Sequence, residues 1–421
     1  MITRRQFLGA GSLSLLAPAV LLEAAEDLPG DHPLASFDHE VEAFRQARHI
    51  PGGALALVKD GRLVYARGYG WADREKQSRA RPDTLFRIAS ISKPFTAVTV
   101  FRLWEAKRLD LNEPVFDLLD LKPLPRCGAI PDPRLKQITV WHLLHHTGGW
   151  DRGQSGDPMF RSRAIAQAAE TPAPAMPETI IRYMLGQPLD FDPGTRSVYS
   201  NFGYCVLGRV IEKVTGVSYE KFGQEHILAG IGIKRMSIGA SLTAKPGESR
   251  YYTADDAKGG NVFGGTDMVP EPYGAFCLEA MDSHGGWIAS ALDLARFAAA
   301  LDVPKKNRLL EPATLPQMYA PPNAPVSRRP DGSLEDTYYA CGWMVRPHGS
   351  QGQANCWHNG SLPGTFSILV RRGDGLSWAA LFNQRSRDAN MPDSAIDGAL
   401  HRAANAVKKW PKDDLFSRRW R

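Results

Sequence analysis

The stretch Thr84-Leu85-Phe86-Arg87-Ile88-Ala89-Ser90-Ile91-Ser92-Lys93-Pro94-Phe95-Thr96 opens an apolar helix with a hydroxyl and an amine three residues apart. That spacing puts Ser90 and Lys93 on one helical face, one turn apart. A serine hydroxyl is a weak nucleophile until a neighbour takes its proton, and a lysine held in a dry site loses its charge readily enough to be that neighbour. Backbone N–H groups at the helix start favour the negative charge that develops in acyl transfer. Pro94 fits, because a first turn tolerates proline. Alone, the pattern is weak: two fixed positions in four should recur about once by chance in a chain of 421 residues. It does recur, as Ser218-Tyr219-Glu220-Lys221, but that copy follows Thr215-Gly216-Val217 and reads as an ordinary helix N-cap.

Two later elements give Ser90 its setting. Tyr199-Ser200-Asn201 follows Phe191-Asp192-Pro193-Gly194-Thr195 and precedes an apolar helix, which puts Tyr199 on a loop tip. His358-Asn359-Gly360-Ser361 lies on a predicted strand, and Thr365 to Val370 supplies a second strand able to pair with it. A strand beside the nucleophile can offer a backbone donor, and Gly360 lets a substrate lie close to the main chain. Three rivals share the short pattern and differ in context. His146-Thr147-Gly148 ends a helix, Lys258-Gly259-Gly260 falls in an Asp/Gly loop, and His284-Gly285-Gly286 precedes Trp287-Ile288-Ala289-Ser290, read as a turn into a helix.

Together with Leu143-Leu144-His145-His146-Thr147-Gly148-Gly149, these elements resemble the serine β-lactamase and penicillin-binding-protein family. The likeness is to the branch of class C β-lactamases, D-alanyl-D-alanine carboxypeptidases and related esterases, and it runs from about residue 37 to 405. The resemblance implies an α+β fold, an antiparallel sheet with flanking helices beside an α-helical lobe, and an active site between the two. It implies acyl transfer through a covalent Ser90 ester, with Lys93 and Tyr199 as the proton-transfer network and either one as base. The backbone N–H groups of Ser90 and Ser361 would bind the oxyanion, and His358 and Gly360 would line the substrate. Asn201 would bind a substrate amide or hold Lys93. No cofactor or metal is implied.

The sequence departs from that pattern where His358-Asn359-Gly360 replaces the Lys-Thr-Gly of β-lactamases. A charged lysine suits a substrate carboxylate, whereas imidazole is mostly neutral near pH 7. The expectation is therefore a serine hydrolase acting on an ester or a D-amino-acid-containing peptide or amide, with weak or no β-lactamase activity. The alternatives are a penicillin or cell-wall-peptide binder that is acylated without turnover, acting as a sensor, or a true class C-like β-lactamase.

Outward from these motifs, Phe37 to His49 reads as a helix stopped by Pro51-Gly52-Gly53, and Asp60-Gly61 joins two apolar runs in a β-hairpin. Helical patterns cover Ser90 to about Ala106, Val140 to His146, Tyr204 to Thr215 and Leu292 to Leu301. Tyr338 to Arg346, Ala354 to His358, Thr365 to Arg371 and Leu376 to Phe382 read as strands, and a helix from about Ser394 to Lys408 closes the chain. A sheet lobe from about 37–85 and 337–410 thus encloses a helical lobe from about 86–336. The loop from Trp150 to Pro177, with Asp151 and Arg152, is expected to shape the substrate entrance.

Composition narrows the rest. With 43% apolar residues the chain carries ample core, and a net charge of +6 without basic-aromatic runs argues against nucleic-acid binding. The partner expected is a small-molecule or peptide substrate. Thr3-Arg4-Arg5-Gln6-Phe7-Leu8 and the apolar run to Leu22 look like a twin-arginine signal over residues 1 to about 25, which predicts a periplasmic or secreted protein. No other long apolar run occurs, so no membrane span is expected after signal removal. Cys127, Cys205, Cys277, Cys341 and Cys356 show no framework spacing and read as reduced, buried residues; if any two pair, they are Cys341 and Cys356. His142, His145 and His146 lack metal-ligand spacing, and G-x-S-x-G is absent.

Overall fold

Asp60 and Gly61 both take positive φ, 51° and 76°, the conformation of the tight turn whose twist matches a hairpin. They join β1 (Gly52–Lys59) to β2 (Arg62–Asp73). The structure, a computed structural model, describes residues 32–125, 131–302, 309–348, 353–418 and 420. The targeting segment read over residues 1 to about 25 and Cys127 lie outside them.

Ser78–Arg79 (β3) extends the hairpin, and five strands from the far end of the chain complete one sheet. These are β4 (Tyr338–Tyr339), β5 (Met344–His348), β6 (Gln353–Leu362), β7 (Thr365–Arg371) and β8 (Leu376–Phe382). The order is β3-β2-β1-β8-β7-β6-β5-β4, antiparallel throughout. Its centre joins the two ends of the sequence: Gly53 faces Phe382 and Lys59 faces Leu376. Every residue of β7 and β8 is buried, so both faces of the sheet are covered. On one face Leu55, Leu57, Ile368 and Trp378 pack under helix α1 (Ala35–Ala47) and a C-terminal helix, Ala395–Ala406. On the other, Ala54, Ala56, Leu369 and Leu381 join the large core of the helical middle. That middle includes α2 (Ser92–Glu105), α3 (Asn201–Thr215) and α4 (Ala291–Asp302).

Four expectations need correction. Tyr338 to Arg346 is not one strand, because Gly342 at φ 80° folds the chain back, with the Ala340 N–H on the Trp343 carbonyl at 2.7 Å. The strand expected at Ala354 to His358 runs on to Leu362 and so carries Gly360 and Ser361 itself. Trp287–Ala289 is a strand rather than a turn, paired between Phe86–Arg87 and Ser237–Ile238. Lys258–Gly260 also pairs, with Met268–Pro270. Cys205, Cys277, Cys341 and Cys356 are all free and buried. Cys341 and Cys356 do not pair: Cys356 sits opposite Val345, and the Cys341 sulfur faces the His145 ring at 3.7 Å. Among the described residues no helix is long and apolar enough to cross a membrane.

Helix α1 is fastened to the sheet by one carboxylate. Asp38, 1% exposed, accepts from Tyr65 at 2.5 Å, Tyr69 at 2.6 Å, Arg67 at 2.8 Å and His32 at 2.9 Å. Burial alone would raise its pKa, but the bonds from Tyr65, Tyr69 and His32 and the Arg67 charge outweigh it and hold the pKa below the usual value. Because the folded value is depressed, the stability Asp38 contributes is present above about pH 4 and is lost as pH falls through the folded value. Asp38→Ala is expected to lower unfolding stability by about 3 kcal/mol, since it removes the acceptor shared by the buried Tyr69 phenol, the half-buried Tyr65 phenol and the Arg67 guanidinium. Urea denaturation at pH 7 checks this, and a loss under about 1 kcal/mol would contradict it.

Candidate active site

Ser90 lies in a one-turn 3-10 helix, Ala89–Ile91, that runs directly into α2. The turn is strained: Ala89, one residue before, sits at φ 46° in the left-handed region. Hydroxyls of β7 hold it there, Thr365 donating to the Arg87 carbonyl and Ser367 to the Ile88 carbonyl, each at 2.9 Å. Arg87 is itself fully buried, donating to the carbonyls of Pro272 and Ala240 beside the buried Glu248. Strand β6 passes hard against the same turn. A Cβ at Gly360 would lie 2.0 Å from the Ile88 carbonyl oxygen, so only glycine brings the Ser361 backbone this close to Ser90.

Lys93 is wholly buried. Its Nζ lies 3.2 Å from Ser90 Oγ, 2.7 Å from Asn201 Oδ1 and 2.8 Å from the His284 carbonyl. Burial pushes its pKa well below the usual lysine value; Arg152 adds to the shift and Asp157 opposes it. Tyr199 ends the loop that leads into α3, with its hydroxyl bonded to Ser90. Burial raises the pKa of its phenol against that bond and the Arg152 charge, so it stays protonated at neutral pH. The loop is pinned from below: the Ser200 N–H donates to His146 Nδ1 at 3.2 Å, and the His146 ring lies 4.4 Å from that of Tyr199. Asn201, the first residue of α3, donates from Nδ2 to Asp157 Oδ2 at 2.7 Å.

His358 is 5% exposed and both ring nitrogens are engaged. Nδ1 meets the Asn359 carbonyl at 2.7 Å, and a carbonyl only accepts, so the proton is on Nδ1 and Nε2 takes the Tyr339 hydroxyl at 3.1 Å. Burial and the Lys93 charge push its pKa down to about 3, against the Asn359 bond. The imidazole is neutral at pH 7. Ser361 is exposed beside it and accepts from Arg385 Nη1 at 3.2 Å.

Ser90, Lys93, Tyr199, Asn201, His358, Gly360 and Ser361 are thus gathered at one place. A cleft of about 340 Å³ opens onto Ser90, walled by Tyr199, Tyr339, Trp357 and His358, with Arg152 on its lining. A larger cavity, about 1000 Å³ between Tyr319, Val345 and Arg371, has none of the seven on its wall. The rival Ser218 is elsewhere and caps Tyr219–Gly223, accepting from the Lys221 N–H at 3.4 Å. His142 caps its own helix and His145 bonds to the carbonyls of Trp141 and Ala320. Of the Trp150 to Pro177 loop, Arg152 reaches the cleft, its guanidinium 5.0 Å from the Tyr199 ring centre, and Asp157 reaches Asn201.

Sequence reading missed Asp157, Tyr339, Arg385 and the His284 carbonyl. Asp157-Pro158 does announce a turn, and Asp157 caps it, Oδ1 accepting from the Met159 N–H at 3.0 Å, but nothing local ties it to Asn201. Arg385 had no signal beyond following a strand.

Comparison with known proteins places these features. A family model described as Beta-lactamase matches residues 37–402. Protein flp of Staphylococcus aureus (strain MW2) is 29% identical over 235 residues, 56% of this chain and 43% of that protein, so the match spans less than half of that relative. Penicillin-binding protein 4 of Amycolatopsis lactamdurans is 27% identical over 380 residues, covering 85% of this chain and 86% of the relative. The D-amino acid amidase from Ochrobactrum anthropi SV3, solved with L-phenylalanine amide, shares the fold at TM-score 0.65 and 23% identity, over 88% of this chain and 98% of that one.

Proposed function

Because the chain belongs to the beta-lactamase family, we propose that Ser90 of this serine hydrolase is its nucleophile and that Lys93, unprotonated, is the base. The arrangement around Lys93 Nζ carries the reading. A neutral amine has two N–H groups and one lone pair; the carbonyl oxygens of Asn201 and His284, at 2.7 and 2.8 Å, take both N–H groups. What remains is the lone pair, and Ser90 Oγ is the third neighbour, at 3.2 Å. Ser90 gives its proton to Lys93 as its oxygen attacks the acyl carbon. The backbone N–H groups of Ser90 and Ser361 hold the oxyanion, a contribution of about 3 to 4 kcal/mol per donor in well-studied cases. The leaving group departs with the proton of the Tyr199 phenol, and the proton on Lys93 restores that phenol through the same hydrogen-bonded set. Water then releases the acid from Ser90.

The substrate is an ester or a D-amino-acid-containing amide rather than a β-lactam. In support, His358 stands neutral where a β-lactamase lysine would be, and both its nitrogens are occupied, so neither is free for a substrate carboxylate. A D-amino acid amidase shares this fold, and the cleft over Ser90 has about 340 Å³ of room for a small ester or amide. A panel of p-nitrophenyl acetate, a D-alanyl dipeptide and a cephalosporin, compared by kcat/KM, tests this. The ester or the D-peptide is expected to exceed the cephalosporin by about 10- to 100-fold, the usual worth of a missing charged hydrogen bond. Release of p-nitrophenol should continue past one equivalent; a single burst would instead mean a protein that is acylated and does not turn over.

A further inference from the structure

Asn201 can face Lys93 in two ways, oxygen first or nitrogen first, and only one of them leaves Ser90 a proton acceptor. With oxygen first, Asn201 takes an N–H of Lys93 and the amine lone pair is left to Ser90. Nitrogen first, Asn201 would donate to that lone pair and occupy it. Asp157 decides between them. Its Oδ2 accepts from Asn201 Nδ2 at 2.7 Å, and a carboxylate cannot donate, so the amide oxygen is turned to Lys93. Asp157 is in turn aimed by its own turn, through Oδ1 and the Met159 N–H at 3.0 Å, with Pro158 and Met159 buried beneath it.

We propose that Asp157 is a positioning residue of this site: it locks the Asn201 amide so that its oxygen, and not its nitrogen, faces Lys93. The inference rests on Lys93 as the base. It also bears on the two roles open to Asn201: its oxygen is taken by Lys93 and one of its two Nδ2 N–H groups by Asp157, so the amide holds Lys93. Around Lys93 stand Ser90, Tyr199 and Tyr204, the rings of His146, His358 and His284, Arg152 on the cleft lining and Asp157 beyond Asn201. Among these, Asp157 is the carboxylate whose charge favours the protonated amine.

Two variants separate the lock from the charge. In Asp157→Asn the single amide oxygen can still accept from Asn201 Nδ2, at the cost of the Met159 N–H bond, so the lock survives and the charge is lost. In Asp157→Ala both are lost. With p-nitrophenyl acetate, Asp157→Ala is expected to lower kcat/KM about 100-fold and Asp157→Asn by less than about 10-fold, in line with loss of one general-base alignment. Removing the negative charge lowers the Lys93 pKa, so the acid limb of the kcat/KM profile should move to lower pH, by about one unit, in both variants. Equal losses in the two variants with an unmoved acid limb would mean a role in folding alone and overturn the proposal, as would Asp157→Ala at wild-type activity. Labelling of the wild-type protein by a fluorophosphonate, followed by peptide mapping, keeps the two readings apart. Label on Ser90 with insensitive Asp157 variants sinks only the lock; label elsewhere sinks the hydrolase assignment beneath it.

Discussion

Ser90→Ala is expected to remove p-nitrophenyl acetate hydrolysis down to background, a fall on the order of 10⁴-fold or more, since loss of a nucleophile acts on the whole catalytic unit. The same change at Ser218 is expected to leave kcat/KM within about twofold, costing only a helix cap of about 1 kcal/mol. The comparison is sharp because both serines have a lysine three residues on. They differ in what surrounds the lysine. Lys93 is sealed in the core with two carbonyl oxygens on its nitrogen, whereas Lys221 is in the exposed first turn that Ser218 caps. Side-by-side assays of the two purified variants decide the matter, and an inactive Ser218→Ala beside an active Ser90→Ala would refute the site.

Lys93→Met should lower kcat/KM by about 10³- to 10⁴-fold, the upper range for removing a general base. Methionine is close in length and apolar, so the packing around the site is filled. The change does leave Asn201 Oδ1 and the His284 carbonyl without a donor, and each such buried acceptor costs about 1 to 3 kcal/mol. A lower melting temperature is therefore expected alongside the kinetic loss, and the assay belongs well below it. The kinetic loss should fall on kcat rather than KM, because the proton moves only as the transition state forms. A variant that kept its kcat would show that Lys93 merely fills the core, and Tyr199 would take its place as base.

Much of the scaffold is legible in the sequence. The limits of Thr365–Arg371 and Leu376–Phe382 coincide with those expected, because Gly-containing turns precede both runs. The hairpin at Asp60-Gly61 was equally plain, for it needs only two residues that tolerate positive φ. What could not be read depended on distant partners. The break inside Tyr338 to Arg346 follows from Gly342, where a Cβ would press on the Lys93 carbonyl at 2.9 Å, a constraint set some 250 residues upstream. Trp287–Ala289 is a strand because Phe86–Arg87 and Ser237–Ile238 flank it, although its local pattern suggests a turn. The site shows the same division. Ser90 and Lys93 share a helical face and could be paired from spacing, and Tyr199 and His358 through the likeness to a known family. Asp157 reaches Asn201 across 44 residues, and Arg385 reaches Ser361 across 24, through contacts that no local pattern encodes.

The register of Gly53 with Phe382 also governs how the molecule is made. A ribosome has emitted more than three hundred residues of this chain before β1 can find its second neighbour, β8, and until then Leu55 and Leu57 lack the cover of the C-terminal helix and the Ser90 turn lacks its wall. Such long-range closure is slow in protein folding generally. The nascent enzyme is therefore catalytically mute and sticky along one edge for most of its synthesis, and any holding factor that attends it should recognise the early hairpin, 52–73, and let go once β8 has arrived.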